Sequence, residues 1–149
     1  MRRIISKLVV IDASNEKIAF GFAIGVFMGI TPYWGFHTMF AFLFAALLRG
    51  NVVAAILGVH VGNPLTAPLL FASTYWVGSK FIDSDPICFA WKDFSLDAAI
   101  RLFSEAPHII MVLSIGALVI GLPLSGLAYW LAKIGMAGYR ARNTAKEGE

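Results

Sequence analysis

Residues 18–48 read IAFGFAIGVFMGITPYWGFHTMFAFLFAALL, thirty-one positions without one Asp, Glu, Lys or Arg. As one continuous helix this stretch would be about 46 Å long, against a bilayer hydrocarbon thickness of about 30 Å. It must therefore be broken, and Thr31-Pro32 with Gly35 supplies the break. Pro32 has no amide hydrogen and pushes Thr31 out of helical geometry, while Gly35 accepts a positive φ. The flanking halves, 18–30 and 36–48, are each too short to cross a bilayer alone.

Residues 50–79 repeat the plan. An apolar run from Gly50 to Gly62 meets NPLTAP at 63–68, where Pro64 and Pro68 oppose helix, and the apolar run resumes from Leu69. Gly21, Gly25 and Gly29 stand four apart, and so do Ala54, Gly58 and Gly62 thirty-three residues later. Such small-residue series let helix backbones approach closely, so these faces are expected to pack together or across a homo-oligomer. Paired, Gly/Pro-interrupted segments in corresponding positions also point to a binding site in membrane folds.

A third charge-free block spans 106–132, with Gly121 and Pro123 expected to kink it mildly. Hydrophobic residues make up 58% of the 149-residue chain and charged residues 14%, where soluble domains carry about 25% charged. The expected fold class is thus an all-α membrane protein with three long apolar blocks, the first two re-entrant or broken, plus amphipathic interfacial helices. One is the basic segment before residue 13, with Ile4, Ile5, Leu8 and Val9 on one side; another lies within 83–105, where Leu96, Ile100 and Phe103 recur at helical spacing.

The chain reads as a single domain: a core over about 16–82, an interfacial segment 83–105, a transmembrane helix 106–132 and a charged tail 133–149. Lys and Arg cluster at both ends, and residues 80–105 hold five acids against three bases, so both termini are expected on the cytoplasmic side. Tyr75 and Trp76 before Lys80, and Tyr129 and Trp130 before Lys133, fit interfacial anchors. On this reading the first block dips in and returns, Arg49 lies back at the cytoplasmic headgroups, the second block crosses, and the third returns. The rival has the first block spanning, which moves Arg49 across.

Unwound backbone at membrane depth must be satisfied by protein or by water. Thr31, His37, Thr38, Asn63 and Thr66 lie in or beside the breaks and can serve that need. The sharper expectation is that the breaks face each other and form a site for an ion, small solute or lipid headgroup, with Thr31, Pro32, Trp34, Gly35, His37, Thr38, Asn63, Pro64, Thr66 and Pro68 as candidates. Tyr33 and Trp34 would sit at the tip of a hairpin. His37 and His60 are ionisable groups within the first two blocks, and such groups tend to be functional; neither has a carboxylate near it in sequence, which disfavours a proton relay.

No metal-ligand spacing, nucleotide loop, paired intramembrane carboxylates or activated nucleophile occurs, so no enzyme activity, metal or cofactor is expected. Basic faces with interleaved aromatics are missing, so nucleic acid is not an expected partner. The lone Cys88 excludes an internal disulfide. Two functions are compatible with the pattern: transport of a small solute, ion or lipid through the paired breaks, or a non-catalytic scaffold or accessory subunit assembling through the glycine faces. Ligand identity is not legible.

IAFGFAIGVFMGITPYWGFHT, followed by NPLTAP and TYWVG, resembles the bacterial membrane family catalogued as domain of unknown function 2062. That family's pattern, G-x-F-x-G-x-x-P-x-x-G-x-x-T, falls on Gly25, Phe27, Gly29, Pro32, Gly35 and Thr38. Its N-P-x-T-x-x-P falls on Asn63, Pro64, Thr66 and Pro68 with one residue fewer, and its Y-x-x-G on Tyr75 and Gly78. The resemblance covers about residues 16–82 and implies a multi-pass protein of the bacterial inner membrane, with no activity attached.

Overall fold

The computed structural model describes residues 14–33, 35–84 and 96–147, with side chains in the last stretch described over 106–139. All elements among them are helical: α1 (Asn15–Ile30), α2 (His37–Leu47), α3 (Val52–Val59), α4 (Ala67–Gly78) and α5 (Leu96–Glu147). The basic segment before residue 13 and Trp34 lie outside the described residues.

Each boundary has a local cause. Ser14 caps α1 by accepting the Lys17 amide at 3.3 Å, with Glu16 in the favourable first turn. Thr31 ends the helix in extended geometry, φ −71 and ψ 152, the geometry favoured for a residue before proline. α2 ends in a Schellman pattern, with Gly50 N–H donating to Ala45 O at 2.8 Å and Arg49 N–H to Ala46 O at 3.2 Å. The left-handed position there is held by Arg49 itself, at φ 58, although Gly50 follows. Asn51 then caps α3, its Oδ1 accepting the Ala54 amide at 2.8 Å.

α1 is the central helix, packed against α3, α5 and α2. Its first block closes into a hairpin: Asn51 N–H donates to Lys17 O at 2.8 Å, bringing the far end of α2 back beside the start of α1. α3 then runs parallel to α1. Gly21 meets the backbone of Asn51, Gly25 that of Ala55 and Gly58, and Gly29 that of Val59 and Gly62. At these crossings a Cβ on Gly25 would fall on the Ala55 carbonyl oxygen, and one on Gly62 on the Gly29 carbonyl oxygen. The two glycine series thus face each other within one chain, and Ala54, fourth in sequence before Gly58, is buried with them.

Past its break the second block continues in the same direction as α4, which runs antiparallel to α5. A Cβ on Gly78 would fall on Val112 O and one on Gly116 on Thr74 O. α5 runs antiparallel to α1 as well, from Tyr33 beside Ser114 to Glu16 beside Lys133. Val26, Ile30 and Ala117 form one buried cluster, and Met28, Ala41, Ala45, Ala55 and Val59 another. The core is made mainly of small residues, and the large ones point outward: Leu65 is 89% exposed and Leu69 74%.

Two readings of the sequence differ from the fold. The segment 96–105 is not a separate interfacial helix but the first part of α5, and the tail is helical to residue 147. Pro107 and Pro123 both lie inside that 52-residue helix. Prolines are tolerated within membrane helices where side chains or neighbouring helices can take up the backbone groups they free. Among the described residues, one helix is long and apolar enough to cross a membrane, Ala106–Tyr139, and it holds the third apolar block. The breaks at Pro32 and Pro64 divide the other two into shorter helices.

Candidate functional site

The parallel course of α1 and α3 brings their C-terminal ends, and hence both breaks, to one level of the bundle. Between them lies a cleft of about 280 Å³. His37 and Thr38 line it from the first turn of α2, and His60, Gly62, Asn63 and Pro64 from the second break. Five candidates read from the sequence, His37, Thr38, Asn63, Pro64 and the packing residue Gly62, therefore meet in one place. His60 joins them, although the sequence marked it only as an ionisable residue in an apolar run.

Other candidates have structural duties. Asn63 Oδ1 accepts the amides of Leu65 and Thr66 at 2.9 and 3.0 Å, and Thr66 Oγ1 accepts the Asn63 amide at 3.1 Å. The two side chains bond reciprocally in the manner of a capping box, so the NPLT sequence forms the turn that leads into α4 at Ala67. Thr66 also donates to Val61 O at 2.6 Å and does not line the cleft. Pro68 sits exposed in the first turn of α4. The Asn63 amide nitrogen donates to His60 O at 3.3 Å, tying the end of α3 to the turn.

At the first break, buried Thr31 donates to Met28 O at 2.7 Å, satisfying a carbonyl at the end of α1. Gly35 takes φ 90, as its position after Pro32 suggested, and its amide donates to His37 Nδ1 at 3.2 Å. Tyr33 reaches α5, its hydroxyl 3.1 Å from Ser114 Oγ. That bond fastens the hairpin tip, and nothing in the sequence pointed to Ser114.

A second cavity, of about 450 Å³, lies on the other flank of the hairpin, between α1, α2 and α5. Phe27, Phe40 and Phe44 supply most of its wall, with Thr31, Tyr33 and Ser114 at its polar end. The first break thus separates the cleft that holds His37, Thr38, His60 and Asn63 from a more apolar one. Among the described residues no group of three or more His, Cys, Asp or Glu side chains could hold a metal ion.

The closing level of the bundle is polar. Glu16 and Lys133 pair at 2.9 Å, both exposed, and the Lys133 ammonium holds the Glu16 carboxyl below the usual carboxylate range. Lys133 stands 5.9 Å from the Tyr129 ring centre, and at the opposite end Lys80 stands 5.3 Å from that of Trp76.

No curated protein and no solved structure matches the chain. The model of one bacterial family, described as an uncharacterised protein conserved in bacteria, matches residues 1–145, a longer stretch than the two proline motifs cover, and the chain therefore belongs to the DUF2062 family.

Proposed function

We propose that this is a multi-pass protein of the bacterial inner membrane whose two broken segments hold a water-filled binding cleft for a small solute or lipid headgroup, serving transport. The observation that carries the reading is the cleft itself: two breaks far apart in sequence share one cavity, lined in part by polar side chains, in a bundle whose outer surface is apolar.

Dimensions and polarity support the bilayer. From Val112, beside the end of α4, to Lys133 is 21 residues of α5, about 32 Å of helix and close to the hydrocarbon thickness. Trp76 with Lys80 marks one limit, and Tyr129 with Lys133 the other. Only 22% of the apolar window of α5 is buried in the bundle, whereas the core helix of a soluble protein would be mostly covered. The hairpin of α1 and α2 starts and ends at the Lys133 level and its tip reaches Ser114, so in a membrane its two ends share one side, and Lys17, Arg49 and Lys133 lie at the cytoplasmic face. α3 and α4 together cross.

A scaffold assembling through the glycine faces has less support, because those faces are used up between α1 and α3 of one chain.

Cysteines placed in a Cys88→Ser background test the cleft. Thr38→Cys and Pro64→Cys should react with a water-soluble thiol reagent in intact membranes, while Leu69→Cys, outward-facing but in lipid, should not. If Thr38→Cys is as inert as Leu69→Cys, water does not reach the breaks and the reading fails.

A further inference from the structure

Two hydrogen bonds fix how the imidazoles of the cleft carry their hydrogens. His60 Nδ1 lies 2.9 Å from the Ile56 carbonyl oxygen. A carbonyl can only accept, so Nδ1 bears the hydrogen and Nε2 of the neutral ring keeps its lone pair. His37 is the reverse: its Nδ1 accepts the Gly35 amide hydrogen at 3.2 Å, which puts its own hydrogen on Nε2. The cleft is thus lined by two rings in opposite tautomers.

The other polar groups narrow what can bind. The Thr38 hydroxyl lines the cleft and has no protein partner among the described residues. Asn63 uses one hydrogen of its side-chain amide on His60 O and has a second to give. No Asp or Glu occurs anywhere from residue 17 to 82, so a cation would find no countercharge. An oxyanion without a proton would set an oxygen lone pair against the lone pair of His60 Nε2.

We propose that the cleft binds an oxyanion that carries its own proton, a monoprotonated phosphate, either free or as a phosphomonoester lipid headgroup. The phosphate O–H donates to His60 Nε2, and the anionic oxygens accept from Thr38 and from the second amide hydrogen of Asn63. This rests on the cleft being water-filled as proposed above, and it adds the class of ligand.

The protein in detergent at about pH 7, where phosphate is partly monoprotonated, should bind inorganic phosphate and discriminate against sulfate, which has no proton to give. In vesicles, enrichment of phosphatidic acid over phosphatidylglycerol around the protein would identify the lipid as the source; phosphate binding without that enrichment would identify the free ion. Thr38→Val should weaken phosphate by roughly tenfold or more, the loss of one hydrogen bond to a charged group. His60→Lys replaces the lone pair with donors and should reverse the preference towards sulfate. Nitrogen-15 spectra of the unliganded protein should show one imidazole protonated at Nδ1 and another at Nε2, a readout independent of any variant's folding. Equal binding of phosphate and sulfate, no binding of either without phosphatidic acid enrichment, or a His60 protonated at Nε2 would overturn the proposal. Should Thr38→Cys still react with the water-soluble reagent in that case, the cleft would stand and only the ligand class would fall.

Discussion

Gly25→Ala is the most informative change to the bundle, because it adds one methyl group where α1 and α3 touch through their backbones. The new Cβ would fall on the carbonyl oxygen of Ala55 and come within 2.9 Å of the Gly58 Cα. These are backbone atoms, so no rotamer change can make room and the helices must separate. Overpacking of this kind costs about 1–3 kcal/mol, and a radial gap of 0.5–1 Å forfeits roughly a quarter to a half of the dispersion attraction along the seam. Alanine returns about 1 kcal/mol of helix propensity, and because the added Cβ meets backbone the cost lies at the upper end of that range, leaving a net destabilisation of up to about 2 kcal/mol. Gly126→Ala is the matched control: it sits in α5 with nothing within 4 Å of an added Cβ, so only the propensity gain remains. Thermal unfolding of both variants in the same detergent reads the difference. If Gly25→Ala melts at or above the parent temperature, the intimate packing of α1 on α3 is wrong.

Three further outcomes follow from single interactions. Asn63→Ala removes the cap that accepts two amides and should cost about 1–2 kcal/mol in thermal unfolding, with Thr66→Val adding less than its own separate cost because both belong to one capping box. Arg49→Gly relieves a left-handed non-glycine residue at φ 58 and should raise stability by about 1 kcal/mol in detergent; a fall would show that the guanidinium makes a stronger interaction than the strain costs. Glu16 has its folded carboxyl pKa lowered by Lys133, so its contribution is present above the ordinary carboxylate range and disappears as pH falls through and below it. The melting temperatures of the parent and Glu16→Gln should therefore converge on acidification, and a gap that widened would reverse the sign of that linkage.

The two breaks were legible because proline acts locally: Pro32 and Pro64 remove amide donors whatever surrounds them, and Gly35 takes the positive φ its position asks for. The spacing of Gly21, Gly25 and Gly29 against Ala54, Gly58 and Gly62 was also legible, since four-residue recurrence survives on any helix face. Its partner choice was not, and the fold resolves it by running α3 parallel to α1. The pairing of Gly78 and Thr74 with Val112 and Gly116 went unread: Gly116, Gly121 and Gly126 stand five apart and so do not share one helix face, and no spacing advertises a packing that depends on antiparallel register. Arg49 at the end of α2 was equally silent, because Gly50 is the residue that usually marks such a turn. That Thr66 is a cap, that His60 and Thr38 line the cleft and that Asn63 does both could not be drawn from residue types, all of which are equally able to bond backbone or ligand. The unbroken α5 was hidden by its charged first turns, which imitate an interfacial helix.

The central claim is that the first block goes in and comes back while the second crosses. Single cysteines at Arg49, Lys133 and Phe81 in a Cys88→Ser background, labelled from one side of sealed membranes with an impermeant reagent, test it directly. Arg49→Cys and Lys133→Cys should react from the same side and Phe81→Cys only from the other. Labelling of Arg49→Cys together with Phe81→Cys, and not with Lys133→Cys, would contradict the hairpin and with it the shared level of the two breaks.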